Sequence, residues 1–267
     1  MMSLLDDLRA PRGKIADEAR HIRILTIDIE SKPLLAYAWG LWDQNISIGQ
    51  IVDHGGMICF AAKWMGEKKT MFYSVHHDGY DAMIAAAHRL LSEADIIVTY
   101  NGVRYDVKKL NNAFLLVGLN PPKPYRHIDL IRTNKARFDL PSRKLDYLVQ
   151  QTGVGSKVKH QGFDLWIDCM AGDEAAWKLM RKYNIGDVKV TEGAYLRLLP
   201  WITDTPHLGM FTSDGKVCPY CGSTDLETNG RTHTYVQSYW AFQCRNCGGW
   251  SRSTLRLQDA TTTRAVR

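Results

Sequence analysis

The sequence predicts an α/β fold, a mixed sheet flanked by helices, followed by a small β domain. Three observations carry that expectation. Strand-like apolar runs and helix-spaced segments alternate between residues 22 and 203. Two of the runs, "MICFAAKWM" and "TMFYSVH", lie either side of a short Gly-containing turn, which is a hairpin signal. Past residue 203 the chain turns polar, with Pro and Gly, and then carries two Cys-x-x-Cys pairs among short β-like runs.

Taken in order, residues 1–21 are charged and form an N-terminal arm. "HIRILTIDIE" is rich in Ile and Leu and reads as a buried strand. Residues 31–56 hold Pro33, Gly40, Gly49 and Gly55-Gly56, an irregular excursion with Tyr37, Trp39 and Trp42 as aromatic anchors. The hairpin follows. "YDAMIAAAHRLLSEA" has helical spacing at Met83, Ile84, Ala87, Leu90 and Leu91, and "DIIVTYN" is a short central strand. "VKKLNNAFLLVGL" reads as a helix ending at Gly118. "HIDLIRTNKARFDL" starts extended, and a helix follows from about Ser142. From Asp173 to Ile202 the chain is helical, with Gly186 marking a joint near Asn184–Gly186. The domain so defined covers 22–203. A linker occupies 204–216, a cysteine-bearing module 217–257, and a disordered tail 258–267.

A chain of 267 residues suits one large domain with a small appendage. It has no apolar run of about 18 residues and no apolar secretory stretch at its start, so a soluble, cytoplasmic protein without a membrane partner is expected. The net charge of +6 is compatible with an anionic partner. Its distribution is more telling. Between Lys123 and His160 the basic residues include Arg143, Lys144, Lys157 and Lys159, read as a phosphate-tracking surface rather than only a solvated face.

Four acids carry the chemistry. Asp28 and Glu30 sit two apart on a strand and so point to one side. Alone they would be an ordinary strand end. Asp106 follows the Asn101-Gly102 turn after a central strand, where it can reach the same sheet edge or cap the next helix. Tyr183 and Asp187, four apart on a helix, share a face. Carboxylates grouped in this way hold Mg²⁺ or Mn²⁺, which take hard oxygen ligands at about 2.0–2.1 Å. Two such ions about 3.5–4 Å apart can hold the attacking water and the leaving oxygen of a phosphodiester. A tyrosine hydroxyl beside them can orient that water.

The motifs "IDIES", "TYNGVRYD" and "YNIGD" resemble the three exonuclease motifs of the DEDD group, the DnaQ-like branch of the RNase H-like superfamily. Tyr183 matches the DEDDy subgroup, which includes the proofreading domain of family B DNA polymerases. The resemblance spans about residues 22–202 and extends to stand-alone phage exonucleases, some with a zinc-binding tail. It implies an RNase H-like sheet and 3′→5′ removal of nucleotides from a single-stranded or 3′-ended nucleic acid, DNA before RNA. It further implies two divalent ions on Asp28, Glu30, Asp106 and Asp187, and Tyr183 orienting the water. Asn101 and Tyr105 become substrate contacts, and a phage-encoded protein acting in a host cytoplasm fits the same likeness. A structure-specific endonuclease and a non-catalytic nucleic-acid-binding adaptor are the alternatives.

Cys218-Pro-Tyr-Cys221 and Cys244-Arg-Asn-Cys247, with 22 residues between them, resemble a zinc ribbon. One structural Zn²⁺ on four thiolates is expected, with a redox dithiol pair as the alternative. Arg231, Arg245, Arg252 and Arg256 lie among Tyr235, Tyr239, Trp240 and Trp250, a composition that suits single-stranded nucleic acid or docking to a replication or repair protein. Cys59 and Cys169 are read as buried, inert thiols.

Overall fold

The first half of strand β1 (Ile24–Lys32) is sealed from water on both sides by Ile24, Leu25, Ile27 and their neighbours, as a strand central to a covered sheet must be. It pairs antiparallel with β4 (Gly56–Trp64) and parallel with β6 (Ile96–Thr99). Beyond them lie β5 (Met71–Ser74) and β7 (Arg126–Asp129), giving the order β5-β4-β1-β6-β7. Only the β1–β4–β5 half is antiparallel. This is the expected mixed sheet of an α/β fold. The computed structural model describes residues 15, 22–212, 215–258 and 263. They form two compact units, one over Arg23–Ala194 and one holding the chain from Tyr195 on. The arm expected over 1–21 and the tail expected over 258–267 lie outside the described residues apart from positions 15, 258 and 263.

In the first unit, α1 (Tyr80–Glu93) and α2 (Asp106–Leu116) cover one face of the sheet. Their stripes, Met83, Ile84, Ala87, Leu90 and Leu91 from α1 and Leu110, Ala113 and Phe114 from α2, pack on Leu25, Ile27 and Ile29. The opposite face carries a second core. Ile58 and Cys59 of β4 meet Leu165 and Cys169 of α5 (Asp164–Met170) and Trp177, Met180 and Tyr183 of α6 (Glu174–Leu198). Because side chains alternate along β1, Asp28 and Glu30 face this second layer. Lys63 of β4 adds an ion pair to Glu192 of α6 at 2.5 Å.

Several elements differ from expectation. The segment after β7 turns at once into α3 (Leu130–Arg137), where Asp129 caps the helix by accepting from the Ile131 N–H. The next helix, α4, is short (Leu145–Gln151). α5 was not anticipated, since seven residues are too few to show a helical period. No joint interrupts α6 at Gly186. The glycine answers a close approach instead, because a Cβ there would lie 2.9 Å from Val158 Cγ2. The 31–56 excursion forms a small ribbon of β2 (Leu35–Ala36) and β3 (Ile51–Asp53). Its aromatics do not anchor it: Trp39 is 98% exposed and Trp42 82%.

In the second unit, β8 (Leu226–His233), β9 (Ser238–Cys244) and β10 (Trp250–Arg256) form an antiparallel sheet of order β10-β9-β8.

Candidate active site and cysteine centre

The acids of β1 and α6 converge. One ligand atom from each of Asp28, Glu30 and Asp187 can be chosen so that all lie within 4.8 Å of one another. The β1–β4 register shifts directly after Glu30, ending the regular ladder beside the site. Asp106, the first residue of α2, is buried next to this group and its Oδ1 accepts the Ile29 N–H at 3.1 Å. It is thus tied to the backbone between the two β1 acids.

That much negative charge away from water is unfavourable, and the proton affinities record it. Desolvation, followed by the charges of Asp106, Glu30 and Asp187, holds the Asp28 carboxyl well above the usual range. Glu30 is pushed up to about 8 by desolvation and then by Asp187. Asp106 rises to about 6 through desolvation. Asp187 is raised by the same cause and drawn back by Lys157. A divalent cation is the natural counter-charge. The donor set fits one, because Asp187 Oδ1 is buried with no hydrogen-bond partner and Asn184 Oδ1 shares that condition. Asp28, Glu30 and Asp187, with Asp106 beside them, offer the hard oxygens that Mg²⁺ or Mn²⁺ takes.

Three neighbours complete the site, and sequence reasoning assigned none of them this place. Asn184 donates from Nδ2 to Asp28 Oδ2 at 2.7 Å. Its signal was present, since it lies three residues before Asp187 on one helix face. Lys157, expected to contact substrate, reaches into the acids. Its Nζ lies 2.6 Å from Asp187 Oδ2 and 3.4 Å from the Tyr183 hydroxyl. The His160 ring packs edge-on to Tyr183 at 4.7 Å. Burial and then the Asp187 charge drive the Tyr183 phenol far above its ordinary range, so it stays protonated. A cleft of about 420 Å³ opens here, lined by Asp146, Gln150, Lys157, Lys159, His160 and Tyr183.

The loop before Asp106 is held by a residue the sequence did not single out. Asp129 accepts the Asn101 N–H at 2.6 Å and the Val103 N–H at 3.1 Å, with Asn101 in the left-handed region at φ 70°. Gly102 is required there, because a Cβ would stand 2.3 Å from Thr99 Oγ1. Tyr105 directly precedes Asp106 and is 45% exposed. The side chains of Arg143, Lys144 and Lys159 are on the exposed surface, and the Arg143 carbonyl accepts the Tyr100 hydroxyl at 2.6 Å.

In the second unit, Cys218, Cys221, Cys244 and Cys247 are all buried and their sulfurs lie within 4.8 Å of one another. Cys218 and Cys247 Sγ are 3.6 Å apart, as are Cys221 and Cys244 Sγ. Disulfide sulfurs would be about 2.05 Å apart. A tetrahedral ion with metal–sulfur distances of about 2.3 Å sets sulfurs about 3.8 Å apart. The four thiols therefore fit zinc. Each pair closes as a tight knuckle, with Gly222 donating to the Cys218 carbonyl at 2.9 Å and Gly248 to the Cys244 carbonyl at 2.8 Å. Both glycines have positive φ, 75° and 76°.

The chain belongs to the RNase_H superfamily, whose family RNase_H_2 it matches over residues 52–198. The matched span includes Asp106, Tyr183 and Asp187 and begins after Asp28 and Glu30. No curated protein matches the chain. Among solved structures it is similar to the family B DNA polymerase from the hyperthermophilic archaeon Pyrobaculum calidifontis, with a TM-score of 0.53 and 16% identity. The match covers 81% of this chain and 31% of the polymerase, so the chain spans less than a third of that protein's length. At that identity the likeness shows the fold. Superfamily membership and the acid cluster together support a nuclease-type function. No helix among the described residues is long and apolar enough to cross a membrane.

Proposed function

We propose that this protein is a divalent-metal-dependent 3′→5′ exonuclease of the DEDDy type acting on DNA, with its catalytic domain over 22–203. A structural zinc ribbon over 217–257 follows a linker over 204–216. The observation that carries the reading is the convergence of Asp28, Glu30 and Asp187, with Asp187 Oδ1 buried and unpartnered and with Asp106 and a protonated Tyr183 beside them.

Asp28, Glu30, Asp106 and Asp187 would hold two Mg²⁺ or Mn²⁺ ions. When bound, the ions supply an activated water and neutralise the charge that builds on the phosphate. This chain's own residues supply the positioning. Asn184 fixes the Asp28 carboxylate by a 2.7 Å hydrogen bond. The Tyr183 hydroxyl holds its proton and so serves to orient the nucleophilic water rather than to remove a proton from it. Lys157 places a fixed positive charge against Asp187 at the mouth of the cleft. Exposed Arg143, Lys144 and Lys159 track the phosphates, while Asn101 and Tyr105 contact the 3′ end. In the ribbon, Arg231 over the 41% exposed Trp240 at 5.2 Å offers paired cation and aromatic surface to a single strand or to a replication or repair partner, while Arg252 lies over the buried Tyr239 at 3.8 Å.

The test is cleavage of end-labelled linear and circular single strands, DNA and RNA, in Mg²⁺ or Mn²⁺. The reading requires shortening from the 3′ end, an intact circle, and loss of activity in Asp28→Ala. A digested circle would make the protein an endonuclease. Metal-dependent shortening retained in Asp28→Ala would overturn the site.

A further inference from the structure

A second group of donors lies at the other end of α6. His76 and His77 occupy the turn after β5, Glu174 is the first residue of α6, and one ligand atom from each lies within 4.8 Å of the others. We propose that His76, His77 and Glu174 form a binding site for a first-row transition-metal ion, zinc foremost, which clips the turn after β5 to the start of α6.

Three features support this. The first is preorganisation. Ser74 Oγ bonds His77 Nδ1 at 2.8 Å and also accepts the His77 N–H at 3.1 Å. That hydrogen bond fixes the ring and leaves Nε2 as the nitrogen available to a metal, the arrangement by which a second partner orients a metal-binding imidazole. Asp78 Oδ2 accepts the Ser74 N–H at 2.9 Å and closes the same turn. The His76 ring stacks on the buried Trp177 ring, centroids 5.2 Å apart and planes 13° from parallel. The second is fit. His76 Nε2 and Glu174 Oε1 are 2.7 Å apart. Tetrahedral zinc with nitrogen and oxygen ligands at about 2.0–2.2 Å sets donors about 3.4 Å apart. The Glu174 side chain, 79% exposed, is free to swing by the difference. The third is access. His76 and Trp177 line a cleft of about 530 Å³, which gives an ion and its remaining water ligands room to enter.

The chemistry separates this site from the acid cluster. Two imidazoles and one carboxylate select zinc and its neighbours, whereas Mg²⁺ prefers oxygen alone. Glu174 and Asp187 are thirteen positions apart on α6, about 20 Å along the helix. The ion would thus brace the helix that carries Tyr183 and Asp187 without touching them.

Zinc content decides the matter. The full chain, loaded at its four cysteines, is equilibrated with micromolar Zn²⁺ in excess Mg²⁺ and compared with His77→Ala and Glu174→Ala, neither of which removes a core side chain. Wild type should hold one zinc per chain more than either variant, and added Zn²⁺ should raise the Tm of wild type alone. Equal zinc content in all three proteins overturns the site. Unequal content with no Tm difference overturns the clip.

Discussion

At the scale of single residues, the site is a problem of charge. The carboxylates of Asp28, Glu30 and Asp187 are offset in part by the ammonium of Lys157, and Asp106 adds a further negative charge beside Asp28. Glu30 in the folded chain keeps its proton up to about 8, against 4.5 for the free group. Asp106 behaves alike up to about 6, against 3.8. Between those values the folded chain binds more protons than the unfolded one, so stability falls as pH rises through the window. The Tm of the protein in magnesium-free buffer should therefore drop from pH 5 to pH 8, and Glu30→Gln should flatten the drop. Saturating Mg²⁺ should flatten it too, because the ion replaces the protons. A magnesium-free Tm that holds or climbs over that range contradicts the cluster. Asn184 gives a second prediction. Its bond to Asp28 is an outer contact of the kind whose loss costs about 10–100-fold in metal affinity or activity. Asn184→Ala should lower cleavage by that order, and raising Mn²⁺ should recover part of it. Asp28 with Glu30 and Tyr183 with Asp187 were legible because strand and helix periods put each pair on one face, whereas Asp106 was legible from its place after the Asn101-Gly102 turn and from the resemblance of the motifs. Lys157 was not. In sequence it belongs to a basic stretch that reads as a phosphate-tracking surface, and its partner Asp187 lies 30 residues further on.

At the scale of elements, α6 shows where local rules are overridden. Glycine in a helix interior normally costs about 1 kcal/mol relative to alanine, so Gly186 reads as a break. The helix is continuous, and Gly186 and Gly193 admit Val158 and Val154 of the loop between α4 and α5. A Cβ at Gly193 would lie 2.5 Å from Val154 Cγ1. Gly193→Ala should therefore destabilise by about 1–3 kcal/mol, the range for overpacking, in spite of its better helix propensity. Adding Val154→Ala should restore most of that loss, since the two changes share one contact. Denaturant melts of the two single variants and the double variant measure it, and an additive double variant would remove the close-approach account. The strands and α1 were legible because their apolar periods are long and buried. The aromatics of the 31–56 excursion misled because composition alone does not tell a buried tryptophan from Trp39 in open water.

At the scale of the whole molecule, the two units rest on different forces. The Arg23–Ala194 unit has two apolar cores on the two faces of one sheet. The second unit buries Tyr195, Leu198, Leu199, Ile202 and Leu208 ahead of the cysteines, but among the described residues 217–257, which carry the sheet, the buried apolar side chains are Val217, Tyr239, Ala241 and the four cysteines themselves. Three ordinary apolar residues bury too little to hold a three-stranded sheet. Zinc bound to small cysteine domains supplies an apparent 10–16 kcal/mol, roughly, which is enough to fold them. The paired cysteines made this cluster legible in the sequence, since two Cys-x-x-Cys knuckles at this spacing suit a tetrahedral metal ion. Cys244→Ser should therefore release the zinc and unfold β8–β10, seen as rapid amide exchange throughout Leu226–Arg256. Exchange within Arg23–Ala194 should be unchanged, and short 3′-ended strands should still be cut. Affinity for longer single strands should fall and depend less on salt, because Arg231 and Arg252 would no longer be held over their aromatic partners. Two other outcomes would count against this account. Exchange rising across Arg23–Ala194 as well would make the zinc centre a support of the catalytic fold. Unaltered affinity for long strands would leave the ribbon to a protein partner.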